Sequence, residues 1–459
     1  MTPQARAFAG DGIRPRPGSK RTGEPPPESG AVVEPAGSPE SGAPGPEAAE
    51  VEPEVAAVGA TGAVEPAAHA PGPPPHVVIV GGGGTGAAIA HDLALRGLRV
   101  TLVERGEITS GSTGRGMGLL HSGARYATTD RVVAADCVAE NKILRRIALG
   151  SFEENDGLIV ALSDEEADLE QRFLDACWQS AVPVRQIPRS RIMGIEPGLN
   201  PAVRLAIQVA DATMDPMRLA LRFLATARAN GAQVRRFTEV TGLAMAEGSV
   251  RGVRVLDHAT GTEEEIGADL VVNAAGPWAG KVAAMADVTL PAELEAGTMV
   301  AFRGRHSNTV IGRLRDVRDG DLAVPMRQQT VFGAIRRPVD AADDPRAPED
   351  ALDALVEGAA MLLPAIREAR VRAIWTAVRP VFAGDAGLIE GLSTDARCFD
   401  HSLDPTPTDG LITVAGGNST LMRRAAEAAA DAVCSRLGVE RHCETADIPL
   451  LPHADWYAR

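Results

Sequence analysis

The segment "GLLHSGARY", Gly118 to Tyr126, sets a histidine, a serine, an arginine and a tyrosine between glycines. Imidazole, guanidinium and phenol so close together can hold an anion and move a proton. Each alone could be ordinary: His121 a hydrogen-bonded loop histidine, Arg125 and Tyr126 a surface pair. About one βαβ unit upstream stands "HVVIVGGGGTGAAIAHDLALRGLRVTLVER", with glycines at 81, 83 and 86. In such a run the first glycine makes a tight turn, the second lets backbone approach a pyrophosphate, and the third lets helix pack on strand. The phosphates would sit on the helix N-terminus. Glu104, 18 residues past Gly86, would accept hydrogen bonds from a ribose, which favours an unphosphorylated dinucleotide.

Two later segments repeat the strand-to-glycine pattern. "VVNAAGPWAG" is a buried strand running into Gly276. "GLITVAGGNST" is a strand ending at Gly416–Gly417, with a helix expected from about Ser419. The helix N-terminus could face a ring that becomes negatively charged on reduction. Long insertions that return to complete a nucleotide domain point to FAD rather than to a plain NAD dehydrogenase. Small residues in "TSGSTGRGMG", 109–118, would let the chain run along a flat flavin ring.

The elements that must position these groups follow from periodicity. Val77–Val80, Thr85–Arg96 and "GLRVTLVE" read as strand, helix and parallel strand. "DRVVAADCVAENKILRRIAL" and "SDEEADLEQRFLDACWQSA" read as helices, the second opened by a good cap. "GLIVALS" reads as a strand, "VRLAIQVADATMDP" as strand and turn, and "VRGVRVLDHATGTEEEIGADLVVNAAG" as a hairpin leading into a buried strand. A mixed region covers 291–374. The expected class is α/β: a two-dinucleotide-binding, Rossmann-like FAD domain with an inserted, mainly antiparallel sheet-and-helix substrate domain. The expected FAD domain is discontinuous, 75–152, 216–285 and 376–437. The substrate domain takes 153–215 and 286–375, and 438–459 forms a C-terminal tail. Residues 1–74, rich in Pro, Gly, Ala and Glu, read as a disordered tail.

Composition narrows the function. The 459 residues carry a formal net charge of −15 and no basic block, which argues against nucleic acid as a partner. Five scattered cysteines, never in a C-x-x-C pair, argue against a zinc site or a self-contained iron–sulfur cluster, so no metal is expected. They fit a reducing, cytoplasmic setting. No apolar run reaches the roughly 18 residues of a membrane span, and no secretory leader is visible.

Taken together, the chain resembles FAD-dependent glycerol-3-phosphate dehydrogenases, most of all the catalytic subunit of the anaerobic type. The shared stretches run from "VIVGGGGTGAAIAHDLALRG" through "GLLHSGARYATTD", "ENKILRRIA", "ADATMDPMRLA", "VVNAAG" and "AVRP" to "GGNSTLMRRAAEAAADAVC". The resemblance implies oxidation of the 2-hydroxyl of sn-glycerol 3-phosphate to dihydroxyacetone phosphate, with hydride passing to FAD. Electrons would go on to an acceptor such as quinone or a partner electron-transfer subunit, and peripheral association with the inner face of the cell membrane stays open. It implies Arg125, Tyr126, Arg379 and Arg397 as substrate-binding residues and His121 with Arg379 as catalytic ones. It places Gly81, Gly83, Gly86, Glu104, Arg105, Ser112, Thr113, Gly118, Leu120, Gly276, Gly416, Gly417 and Asn418 against the cofactor.

Two family lysines are replaced, one by Asn418 and one aligning near Ala296. Leu421-Met422 and Gly116-Met117 also depart from the family pattern, and a cysteine-rich C-terminal extension is not present. Each charge-assisted hydrogen bond is worth roughly 1.5–3 kcal/mol. A wall that had lost two cations would favour the alternative substrate, an amino acid, amine or 2-hydroxy acid.

Overall fold

The computed structural model describes residues 72–315, 321–343, 345–382 and 396–458. The expected N-terminal tail therefore lies outside the described residues, apart from its last three.

A six-stranded sheet holds the nucleotide-binding segments. Its order is Ala396–Asp400, Leu411–Gly416, Leu270–Asn273, His76–Val80, Arg99–Val103 and Gln233–Arg235. All pairings are parallel except the first, which is antiparallel. Period-two alternation decides what each face meets. Val77, Ile79, Leu102, Val272 and Val414 point into one core with helices Gly84–Leu95, Pro216–Ala229 and Met422–Leu437. Val78, Val80, Val103 and Val271 point into another with the three-stranded antiparallel sheet of residues 238–267. Both faces are covered, which explains the near-continuous apolar strands of the sequence.

The second large sheet has eight strands, in the order Val371–Phe382, Ala292–Arg303, Gln329–Val339, Leu322–Met326, Val310–Arg313, Gly157–Ala161, Leu205–Val209 and Val184–Ile187. One pairing, Val310–Arg313 with Gly157–Ala161, is parallel and the rest are antiparallel. Helix Ala351–Leu362 closes one face through Leu355, Ala359 and Leu362. The α/β class and the mainly antiparallel insertion are as expected.

Three local expectations shift. Val371–Phe382 is one unbroken edge strand of the eight-stranded sheet, so residues 376–382 join that sheet rather than the nucleotide-binding one. The single helix expected from Ser163 breaks into Asp164–Ala167 and Glu170–Gln179, with Ser163 capping Glu166 N–H. The last helix starts at Met422 rather than near Ser419, because Asn418 Oδ1 accepts the N–H groups of Thr420 and Leu421 and holds them in a turn.

The C-terminal segment is docked, not a loose tail. Leu450 and Trp456 are buried in the nucleotide-side core. Leu450 N–H donates to Ile147 O at 2.8 Å, and Arg222 donates to Leu450 O at 3.1 Å.

Candidate active site

Strand ends and loops of both large sheets enclose a cavity of about 710 Å³, in the upper part of the usual range for ligand sites. At one end lies the glycine run. Gly81 takes φ +109°, and a Cβ there would sit 2.6 Å from Ala274 O; a Cβ on Gly86 would sit 2.0 Å from Gly81 O. These two glycines are required by the protein's own packing. Gly83 is different: a Cβ there would meet only Thr113 Oγ1, at 3.5 Å, so the fold leaves the approach to the helix N-terminus open. That is the cradle a pyrophosphate needs.

Glu104 also lines the cavity, and its carboxylate accepts Gly82 N–H at 2.7 Å and Gly106 N–H at 2.8 Å. A carboxylate has about four acceptor positions, so two remain for ribose hydroxyls. Arg105 lies over the Trp278 ring, 4.2 Å from its centroid. Asp343 joins this corner, accepting Trp278 Nε1–H at 2.6 Å and pairing with Lys281. Those two hydrogen bonds, Lys281 first, hold the Asp343 carboxyl below the usual range. Gly276, Gly416, Gly417, Ser112, Thr113 and Asn418, expected against the cofactor, also line the cavity.

The Gly118–Tyr126 segment forms the floor of the other end. Gly118 takes φ +73°, and a Cβ there would overlap Met326 and Met214 O. Leu119–Leu120 pairs with Ala212–Met214. His121 N–H donates to Thr420 Oγ1 at 2.9 Å, its carbonyl accepts Asn141 Nδ2 at 3.0 Å, and Ser122 N–H donates to the buried Asp211. So pinned, His121, Arg125 and Tyr126 all line the cavity. The His121 ring packs on Tyr126, centroids 5.2 Å apart. Burial, then the charges of Arg125 and Arg336, push the His121 pKa down to about 3, so the imidazole is neutral near pH 7.

Opposite stand Arg379 and Arg336. Arg379 Nε donates to Glu295 Oε1 at 3.0 Å, and Arg336 Nε lies 3.8 Å from the same oxygen. Arg125 pairs with the buried Asp321 at 2.9 Å. Arg125, Arg336 and Arg379 thus line the same cavity as His121, each beside a carboxylate.

Four expected residues occupy other places. Gly86 is a packing glycine and does not line the cavity. Leu120 is fully buried in the nucleotide-side core, because the strand alternates and Leu119 takes the cavity side. Arg397 is 3% exposed and is absent from the cavity lining among the described residues. Ala296, expected to mark a lost cation, is fully buried against Ala342 and Val378, and the cavity positions on its strand are Glu295, Gly297 and Met299. Ala342 and Val378, which it packs against, line the cavity, so position 296 borders the cavity without lining it. Arg336 escaped sequence reasoning because it sits beside Arg337 in "GAIRRPV". Only strand register tells which of two adjacent arginines faces the cavity.

Residues 76–431 match the family described as DAO, FAD dependent oxidoreductase. The chain belongs to that family. The glycine cradle, the open approach at Gly83 and the cavity fit its cofactor, FAD, and the protein is an FAD-dependent oxidoreductase.

One subunit of the anaerobic glycerol-3-phosphate dehydrogenase of Escherichia coli (strain K12) is 39% identical over 379 residues, covering 82% of this chain and 69% of its own. The corresponding subunit from Haloferax volcanii is 38% identical over 392 residues, covering 82% and 66%. Among solved structures, glycerol-3-phosphate dehydrogenase from Bacillus halodurans complexed with FAD has a TM-score of 0.62 at 24% identity, covering 82% of this chain and 68% of that one. Glycine oxidase from Geobacillus kaustophilus has a TM-score of 0.63 at 23% identity, covering 82% and 99%. The fold is thus common to a glycerol-3-phosphate dehydrogenase and a glycine oxidase, so by itself it leaves the substrate open.

Proposed function

We propose that this flavoenzyme oxidises the 2-hydroxyl of sn-glycerol 3-phosphate to the ketone of dihydroxyacetone phosphate. The observation that carries the reading is Arg125, Arg379 and a neutral His121 lining one cavity, on a chain 37–39% identical to curated subunits of that activity. FAD, when bound, supplies the hydride acceptor. The protein's own residues do the rest. Arg125 and Arg379 bind the phosphate as charged, planar donors. Tyr126 and the pinned backbone of Gly118–Tyr126 orient the carbinol. His121, unprotonated at neutral pH, takes the hydroxyl proton.

The relatives are named as subunits, which supports a partner electron-transfer subunit or a quinone as the onward acceptor. Among the described residues no helix is long and apolar enough to cross a membrane. Any attachment to the inner face of the cell membrane would then be peripheral, with the catalytic domain in the cytoplasm. The alternative substrate, an amino acid, amine or 2-hydroxy acid, draws on the same arginines and on the fold shared with glycine oxidase.

Anaerobic bleaching of the flavin band decides between them. sn-Glycerol 3-phosphate is expected to bleach the FAD-loaded protein, while glycine, proline and lactate are not. Bleaching by one of those three but not by sn-glycerol 3-phosphate overturns the reading.

A further inference from the structure

We propose that Asp211 and Asn141 are positioning residues for His121, acting together on the single peptide unit that joins His121 to Ser122. The proposal rests on the reading of His121 as the base, and on no choice of substrate.

The arrangement starts from strand register. Leu119–Leu120 pairs antiparallel with Ala212–Met214, Leu120 opposite Ala212. Continued by one residue, that register sets His121 opposite Asp211. The backbone ladder stops there and side chains take over. Ser122 N–H donates to Asp211 Oδ1 at 2.7 Å, and Asn141 Nδ2 donates to His121 O at 3.0 Å. That carbonyl and that N–H belong to one planar trans peptide and point in opposite directions. The plane is therefore gripped at both edges. The preceding peptide is held as well, because His121 N–H donates to Thr420 Oγ1 at 2.9 Å. With both flanking planes fixed, the backbone sets the direction in which the His121 side chain leaves toward the cavity.

Other residues hold the grip itself in place. Arg145 Nε donates to Asn141 Oδ1 at 2.8 Å, which leaves the Asn141 amide nitrogen to face His121 O and Ala210 O. Arg145 Nη2 donates to Ala210 O at 3.0 Å, so the residue before Asp211 is tied to the same helix, Arg131–Ile147. Gly157 gives Asp211 its seat: a Cβ there would lie 2.9 Å from Asp211 Cβ and 3.0 Å from Oδ2.

The burial of Asp211 argues the same way. It is 1% exposed, and Oδ2 is buried with no hydrogen-bond partner among the described residues. Burial raises its pKa, against the hydrogen bonds from Ser122 and the charges of Arg125 and Arg145. A buried polar atom left open costs stability, so an apolar residue would serve the fold better here. What Asp211 supplies is a fixed acceptor for Ser122 N–H.

The test uses FAD-loaded full-length protein. Hydrogen exchange of residues 118–126, read by mass spectrometry, needs no substrate. Flavin reduction is followed by stopped flow with whichever of sn-glycerol 3-phosphate, glycine, proline and lactate bleaches the parent, giving a limiting rate and a dissociation constant. Asp211→Ala and Asn141→Ala are each expected to speed exchange in that stretch. Each is also expected to lower the limiting rate about 10–100-fold, as small misplacements of reacting groups do. The dissociation constant should stay within about threefold, because Arg125 and Arg379 are anchored by Asp321 and Glu295 rather than by this peptide. Asp211→Asn, which keeps an acceptor oxygen, is expected to recover part of the rate. Because both residues hold one peptide, the double variant should lose little more than the slower of the two single variants.

A limiting rate within about twofold of the parent in folded Asp211→Ala overturns the proposal, as does unchanged exchange across 118–126. So does a loss of affinity as large as the loss of rate, or a double variant whose losses multiply, since either marks a merely structural role. Should Asp211→Ala not fold, Gly157→Ala, which crowds Asp211 without lining the cavity, takes its place, and a parent-like rate there overturns the proposal. His121→Asn separates the two readings. If it slows reduction while Asp211→Ala does not, the base stands and the positioning role falls. If exchange quickens in Asp211→Ala but His121→Asn reduces flavin at the parent rate, the grip on the peptide stands and the base reading falls.

Discussion

Arg125 Nη2 and Asp321 Oδ1 lie 2.9 Å apart with side chains 9% and 2% exposed. Water screens such a pair poorly, and removing one partner leaves an uncompensated charge, at a cost of about 3–5 kcal/mol. Asp321→Ala is therefore expected to lower thermal stability markedly at saturating FAD. Arg125→Met, which removes the other charge and keeps bulk, should cost stability too and also weaken substrate binding. Differential scanning calorimetry of both variants checks this; an unchanged Tm for Asp321→Ala would show that the pair contributes nothing.

The glycines separate by what each one faces. Gly86→Ala puts a methyl 2.0 Å from Gly81 O, so it should prevent folding of the nucleotide-binding segment. Gly83→Ala meets nothing closer than 3.5 Å, so it should fold with little change in apo-protein stability yet lose FAD affinity. Circular dichroism melts together with flavin content on purification distinguish them. Gly83→Ala that retains full FAD would refute the cradle.

His121 tests the proton step. Its neutral imidazole is the candidate base, so His121→Asn should lower the rate of flavin reduction by about 10²–10⁴-fold, the usual worth of a general base. Its pKa, near 3 without substrate, is held down by burial and then by Arg125 and Arg336. A bound anion offsets both arginines and should raise it. The acid limb of the rate in the bound complex should therefore lie above that of the free protein. Stopped-flow reduction across pH 4–8 reads this, and a limb that does not move with His121→Asn would exclude the residue as base.

His91 governs acid stability. It is fully buried on the helix Gly84–Leu95, beside Phe223, and neither ring nitrogen has a hydrogen-bond partner. Burial lowers its pKa to about 3, with Arg423 adding to the effect. Above pH 6.5 the ring is neutral whether folded or unfolded, so it has no linkage effect there. As pH falls from 6.5 toward 3, only the unfolded chain takes up the proton, and stability is lost progressively. His91→Leu should flatten that acid slope and leave neutral-pH stability equal or higher, since two unpaired buried nitrogens disappear. Urea melts at pH 4.5 and 7.5 measure both. A slope as steep as the parent's would assign the acid sensitivity elsewhere, with His121, whose pKa is shifted in the same direction, as the next group to test.

Much of the nucleotide half was legible in the amino-acid sequence because its determinants are local. Gly81, Gly83 and Gly86 stand close together in the chain, and the strands are continuous apolar runs. The floor of the substrate end, Gly118–Tyr126, was legible for the same reason.

What only the tertiary structure decided are the contacts between distant strands. Register puts Glu295 beside Arg379, and selects Arg336 over Arg337 for the cavity lining. It also buries Leu120 and Arg397 away from the positions the resemblance implied. A one-residue slip in a strand inverts every such assignment, and nothing local in the chain specifies the slip. The cofactor-binding motif was therefore written in short stretches of the chain, while which charged side chains line the cavity was set by the pairing of three strands.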